Sequence, residues 1–137
     1  MILLTCRLAW AELPPEMVKE RLSNAEEVLS GTILNIHNAP NDWAEKYFGK
    51  NVIFNTYKPR IKYFDLEIEK VQKTTRGFKS GDIIKIAFAD YKGQLLPPGS
   101  HQLKCKKNDR VSVFLRSDLN LGQDIFREAV DGCSVDH

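Results

Sequence analysis

Residues 79–88 read KSGDIIKIAF, and residues 106–115 read KKNDRVSVFL. Each stretch begins as a turn and continues as a strand in which apolar side chains alternate, the period of a strand with one buried face. Gly81 and Asn108 take the same place in the two turns, and both residue types tolerate a left-handed backbone. The positions predicted to face a core are Ile84, Ile86, Phe88, Val111, Val113 and Leu115.

Three further strands are predicted around this repeat. Residues 28–36 form the first strand, in which the internal Gly31 indicates a bulge or a bend. Residues 61–73 form the second strand, and a loss of alternation near its end predicts a bulge near Glu69. Residues 101–104 form a short strand before the second copy of the repeat.

Short helices are predicted between and around the strands. Residues 14–22 form one, because proline is tolerated in the first turn of a helix. A second begins at Asp42, predicted to be its N-cap with a glutamate three residues on, and ends at Gly49. A turn of helix is predicted over residues 123–129. The predicted fold is mainly β, a five-stranded antiparallel OB-fold-like barrel with short helices before strand 1 and between strands 1 and 2.

The chain has 137 residues and a formal net charge of +2, which is typical of one globular domain. The charge is uneven, because residues 56–116 carry 14 basic and 6 acidic side chains. Such a basic segment can indicate an anionic partner. The preferred interpretation is that its lysines cover exposed strand faces and edges, where they oppose aggregation.

The first residues are mostly apolar and end in Ala9-Trp10-Ala11, a small-residue pattern typical of signal-peptide cleavage sites. Residues 1–11 are therefore interpreted as a truncated signal peptide, and residues 12–137 as a single OB-like barrel domain. This predicts a periplasmic or secreted protein, or a cytoplasmic one if residues 1–11 are not a signal remnant. In an oxidising compartment Cys105 and Cys133 are candidates for one disulfide.

The pattern also resembles a known family over roughly residues 26–117. The matching features are residues 27–36, residues 63–71, the Lys-Ser-Gly-Asp-Ile turn, the Pro97-Pro98-Gly99 loop and the strand over 108–116. They resemble a bacterial exported family of uncharacterised function that is similar to the TIMP-like, or netrin-like, OB-fold domain of tissue metalloproteinase inhibitors. The resemblance implies a fold and no catalytic motif. Those inhibitors reach zinc through an N-terminal cysteine, whereas the mature chain here would begin at Glu12.

No catalytic, metal or cofactor site is predicted. His37, His101 and His137 are scattered along the sequence, and two imidazoles alone make an incomplete metal site. Ser100 precedes His101 directly, but neighbours on a strand point to opposite faces and cannot form a nucleophile–base pair. We therefore predict that the protein is not an enzyme. No apolar run is long enough to span a membrane.

Two functions remain. The first is a non-catalytic binding or protein-interaction module for an unknown protein or small ligand, and the alternative is a single-stranded nucleic-acid-binding OB-fold protein. Carboxylates on the second strand, Asp65 among them, would repel phosphate, so nucleic acid is not favoured. The sequence leaves the oligomeric state open. The candidate ligand-binding residues are Trp43, Tyr47, Tyr57, Lys58, Arg60, Lys62 and Tyr63.

Overall fold

The computed structural model describes residues 15–49, 60–90, 105–130 and 134–136. These residues form two helices and six strands. In chain order they are α1 (Pro15–Asn24), β1 (Glu27–Asn38), α2 (Trp43–Phe48), β2 (Arg60–Lys73), β3 (Ile83–Asp90), β4 (Arg110–Ser117), β5 (Ile125–Glu128) and β6 (Val135–Asp136). The predicted strand over residues 101–104, the proline loop and the first eleven residues lie outside the described residues.

Five strands close a barrel in the order β1-β2-β3-β5-β4, and β4 pairs back onto β1. The predicted mainly β barrel is therefore confirmed. The prediction that all its strands are antiparallel is wrong, because β3 and β5 are parallel, with Ile86 opposite Phe126. The reason is geometric: a closed ring with an odd number of strands cannot reverse direction at every step. β6 pairs with β4 next to β5.

The barrel interior is filled by the inward side chains that alternation predicted on β2, β3 and β4, joined by residues of β1 and β5. Phe64, Leu66, Ile86, Val113 and Leu115 are fully buried. The complete inner cluster also contains Leu29, Ile33, Ile68, Ile84, Phe88, Val111 and Phe126. Because all five strands contribute, this single core holds the barrel closed.

The two copies of the repeated phrase form equivalent turns, as predicted. Gly81 has a φ of 96° and Asn108 a φ of 74°, both in the left-handed region. In each turn the following aspartate accepts a hydrogen bond from the backbone N–H three residues earlier, at 2.9 Å for Asp82 and 3.0 Å for Asp109. The repeat is therefore a turn that starts a strand at two places in the barrel.

Irregular pairing between β1 and β2 bends the two longest strands. Register shifts leave Glu69 without an opposite residue on β1, as predicted, and leave Leu34 of β1 without one on β2. At Gly31 an added Cβ would lie 2.1 Å from the carbonyl oxygen of Glu67, so only glycine fits between the strands. These bends let the two strands curve around the core.

Both helices pack on the outside of the barrel. The Arg21 guanidinium of α1 lies 4.1 Å from the centre of the Phe114 ring on β4. The predicted helix end at Gly49 is confirmed, with a φ of 98°. Asp42 occupies the predicted N-cap position, but its side chain makes no capping hydrogen bond and pairs with Lys46 at 3.0 Å.

The segment after β4 does not form the predicted helix. Residues 123–129 do not form a turn of helix, because residues 125–128 are strand β5. Phe126 and Glu128 are buried there, so β5 is part of the barrel wall between β3 and β4.

Candidate functional site

A cluster of aromatic and charged side chains lies on the outer face of the barrel where β1, β2 and β3 run side by side. We call it the Tyr63 cluster, and its members are His37, Trp43, Tyr63, Asp65 and Lys85. Strand pairing positions it: Tyr63 is opposite His37 on β1 and Ala87 on β3, and Asp65 is opposite Lys85. Since Phe64 faces the core, its neighbours Tyr63 and Asp65 must face outward.

Three rings of the Tyr63 cluster are in contact. The His37 ring stacks on Tyr63 with 4.8 Å between centroids and 29° between planes. The Trp43 ring of α2 lies 5.6 Å from Tyr63 on a tilted plane. All three side chains are partly exposed, so part of this aromatic surface is open to solvent.

Charged groups hold this aromatic row in place. The Asp65 carboxylate lies 2.8 Å from Nε2 of His37, and the exposed fractions of the two side chains are 18% and 41%. The Lys85 ammonium lies 5.6 Å from the centre of the Tyr63 ring, within cation–π range. The cluster therefore combines an aromatic surface with one acidic and one basic group.

The structure brings together only part of the predicted set. Trp43 and Tyr63 meet in the Tyr63 cluster, whereas Tyr57 and Lys58 lie outside the described residues. Lys62 shares its side of β2 with Phe64, and its ammonium pairs with Asp90 at 2.9 Å. Arg60 is exposed and lines a cavity of about 240 Å³ beside the start of α2.

Tyr47 is a packing residue and takes no part in the exposed cluster. It is 6% exposed, and the guanidinium of Arg127 lies 3.6 Å from the centre of its ring. Arg127 also donates to the Tyr47 carbonyl oxygen at 2.8 Å and to the Asp118 carboxylate at 3.2 Å. These contacts attach α2 to β5 and so position Trp43 beside Tyr63.

Sequence reasoning missed His37 because of the bulge at Leu34. Simple alternation from Ile33 would send Asn35 and His37 into the core. The unpaired Leu34 reverses the phase, so that Ile36 packs against the core and His37 faces outward beside Tyr63. The sequence contained a sign of this bulge. Ile33 and Leu34 are apolar neighbours, and Asn35 and Ile36 follow them, so the alternation of apolar and polar residues changes phase here.

A second concave feature lies on the same side of β1, further toward α1. This groove has a volume of about 430 Å³. Its floor contains Ser30 and Ser112, whose hydroxyl oxygens are 3.0 Å apart across the β1–β4 pair. The other lining residues are Gly31, Glu69, Gln72, Arg110, Val111, Phe114 and Asp136.

Metal ligands and thiols give no further site in the described part of the chain. Within it, no three His, Cys, Asp or Glu side chains cluster closely enough to hold a metal ion. Cys105 is a free thiol, and burial together with Glu128 and Asp109 raises its pKa to about 12. Its predicted partner Cys133 lies outside the described residues, so the disulfide stays a prediction. The two described helices are too short to cross a membrane.

Comparison with known proteins does not assign this chain to a family. The sequence matches no protein-family profile, and it has no significant match among curated protein sequences.

Proposed function

We propose that this protein is a non-catalytic binding module whose ligand lies on the Tyr63 cluster. The observation that carries the proposal is the row of three partly exposed rings, Trp43, Tyr63 and His37, on one outer face. A large, rigid aromatic surface with a few polar groups beside it is typical of binding sites. Partners would be a protein or a small ligand that packs on these rings.

The strand order supports an OB-fold assignment for this barrel. In OB-folds the face of strands 2 and 3, together with the loops after strands 1 and 4, binds extended ligands. The Tyr63 cluster lies on the corresponding face, and α2 belongs to the connection after β1. Fold analogy alone does not assign a function, so the proposal depends on the residues of the cluster.

The proposal is tested by mapping where ligands of different classes bind. Backbone amide shifts of the protein would be recorded by NMR with three probes: an oligothymidylate, a neutral hexasaccharide and a library of short peptides. We expect one class to shift the amides of His37, Tyr63 and Lys85, and Tyr63→Ala to abolish that binding. Leu22→Ala is the matched control, because Leu22 is half exposed on α1, away from the cluster.

Shifts that map elsewhere for every class that binds, or a Tyr63→Ala variant with unchanged affinity, would overturn the proposal. Leu22→Ala is a suitable control because both substitutions remove a partly exposed side chain, and only Tyr63→Ala changes the cluster. Unchanged circular dichroism of the two variants shows that the barrel is intact.

Single-stranded nucleic-acid binding is the second candidate. Lys85 beside the Tyr63 ring favours it, because stacking on an aromatic ring next to a cation is how OB-folds hold bases. Asp65, Glu67 and Glu69 on the outer side of β2 oppose it, since carboxylates repel phosphate. A fluorescent oligonucleotide should then bind at low salt, with log affinity falling by about 0.7 per contacted phosphate for each tenfold rise in salt. Absence of binding at low salt excludes this candidate.

We also propose that the protein is extracytoplasmic and related to the TIMP-like domain family. The support is the sequence of residues 1–11 and the turn and strand motifs described above. Mass spectrometry of the native protein tests the location. A periplasmic or secreted chain that begins at Glu12 supports export, and a cytosolic chain that retains Met1 refutes it.

A further inference from the structure

We infer that the ligand is a neutral oligosaccharide that lies along the outer side of β1, from the Ser30–Ser112 groove to the Tyr63 cluster. This inference rests on the proposed binding function and adds the class of ligand and its path. Three observations carry it: the residues along β1, the charges beside them, and the two features at the ends.

The outer side of β1 is a line of polar side chains that form hydrogen bonds. Strand pairing places Ser30, Thr32, Asn35 and His37 on this side, and the Leu34 bulge keeps the last two there. Four such residues in succession provide both donors and acceptors. From Ser30 to His37 the strand extends about 20 Å, at roughly 3.3 Å per residue less the bulge. A linear ligand of several sugar units fits this length.

The charges beside this line are balanced and do not favour a polyanion. Three outward carboxylates on β2, Asp65, Glu67 and Glu69, lie with three cations on the same surface: Lys70 opposite Ser30, Arg110 opposite Thr32, and Lys85 opposite Asp65. Two of the carboxylates already accept hydrogen bonds: Asp65 lies 2.8 Å from His37, and Glu69 accepts from the Thr32 hydroxyl at 3.1 Å. Carboxylates of this kind accept hydrogen bonds from hydroxyl groups of a neutral sugar and repel phosphate.

The groove suits one end of such a ligand. Its volume of about 430 Å³ lies in the range of small-molecule sites, roughly 300–1,000 Å³. The Ser30 and Ser112 hydroxyls bond to each other at 3.0 Å, which leaves both oxygens able to accept further bonds. Gln72 adds an amide at the wall. Hydroxyl and amide groups are the partners that sugar hydroxyls require.

The Tyr63 cluster suits the other end. Sugar rings carry C–H groups on their faces, and these pack on the electron-rich face of an aromatic ring. The tilted Trp43 and Tyr63 rings, 5.6 Å apart, both keep part of their surface exposed for such packing, and His37 and Lys85 also contact the Tyr63 ring. An aromatic platform at one end and a polar groove at the other predict that affinity increases with the number of sugar units.

Isothermal titration calorimetry with the full-length protein tests this directly. The probes are cellulose-, starch- and chitin-type oligosaccharides, each as a disaccharide and a hexasaccharide. At least one hexasaccharide should bind about tenfold more tightly than its disaccharide. Raising salt from low to moderate concentration should leave this affinity nearly unchanged, because neutral ligands release no counterions.

Two variants test the two ends of the proposed binding path independently. Tyr63→Ala should weaken both lengths of oligosaccharide about tenfold, because both pack on the ring. Ser112→Ala should weaken only the hexasaccharide, by roughly three- to tenfold, the loss expected for one or two hydrogen bonds. Leu22→Ala should change neither affinity. Thermal unfolding of each variant confirms that the barrel is folded.

The possible failures are distinguishable. If no hexasaccharide binds but another probe class still shifts the Tyr63 amide, the oligosaccharide is wrong and the binding function stands. If an oligosaccharide binds with no dependence on length or on Ser112, the path along β1 is wrong. Oligothymidylate binding that falls steeply with salt identifies nucleic acid as the ligand and overturns the inference.

Discussion

At Gly31 the backbone of β1 lies close against the backbone of β2. An added Cβ would lie 2.1 Å from the Glu67 carbonyl oxygen, and that obstacle is backbone, which cannot rotate away. Gly31→Ala should therefore lower the free energy of unfolding by about 3 kcal/mol, the upper end of the usual range for overpacking. Urea denaturation followed by circular dichroism measures the loss.

Gly122→Ala is the matched control for this prediction. There an added Cβ meets only the end of the Ile125 side chain, at 3.2 Å, and a side chain can shift. We expect a clearly smaller loss. Equal losses in the two variants would show that the backbone contact at Gly31 is not the cause.

Cys105 should be unreactive in the folded protein. Burial, Glu128 and Asp109 raise its pKa from 9.0 to about 12, and only the thiolate reacts with alkylating reagents. In the reduced protein at pH 8, iodoacetamide should therefore modify Cys105 far more slowly when the chain is folded than in urea. Peptide mass spectrometry identifies the modified residue, and equal rates in the two states would refute the prediction.

The same raised pKa has a consequence for stability at high pH. Below about pH 9 the thiol is protonated in both the folded and the unfolded chain. In this range the folded state keeps the full stability that is associated with a neutral buried thiol. Between pH 9 and 12 only the unfolded chain loses the proton, so stability falls as the pH rises. The wild type should lose more stability over this range than Cys105→Ala in parallel urea titrations, and equal losses would exclude Cys105 as the cause.

Helix α2 depends on one buried ion pair. Arg127 is 6% exposed and Asp118 5%, and Arg127 joins Asp118 to the Tyr47 carbonyl oxygen at the end of α2. Arg127→Met leaves the Asp118 carboxylate buried without this partner and should cost about 3–5 kcal/mol. The double variant Asp118→Asn with Arg127→Met removes the stranded charge and should be more stable than Arg127→Met alone. Chemical denaturation measures both, and a less stable double variant would contradict this account.

At the scale of elements, alternation predicted the strands that carry long stretches of core residues. It predicted which side of β2 faces inward, because Phe64, Leu66 and Ile68 keep one phase. It failed for β5, since a four-residue strand between β3 and β4 is too short to show a period and is stabilised by its neighbours.

The candidate site was predictable in part for similar reasons. Trp43 and Tyr63 stand out as aromatic residues near the ends of predicted elements. His37 depends on the Leu34 bulge, and the burial of Tyr47 depends on Arg127, which is 80 residues away in the sequence. Contacts of that separation are set by the closed barrel and leave no local pattern.

For the whole molecule, closure depends on the last described strands. A chain truncated after Gln123 lacks β5, the strand that joins β3 to β4, and also loses the fully buried Phe126 ring. We expect it to unfold without a cooperative transition in calorimetry. Phe126→Ala keeps the backbone pairing of β5, and should retain a cooperative transition while losing about 3–5 kcal/mol. A cooperative transition in the truncated chain would show that four strands suffice.

The pairing of β1 with β4 also determines how early the barrel can close while the chain is being synthesised. Ser30 and Ser112 are 82 residues apart, and a ribosome adds about 5–20 residues per second, so roughly 4–16 seconds pass before β1 can meet its second neighbour. During that interval β1, β2 and β3 can form only an open antiparallel sheet, in which one edge of β1 is unpaired. The nascent chain is therefore most exposed to association with other chains before β4 emerges, and a chaperone that binds extended strands would act in that interval.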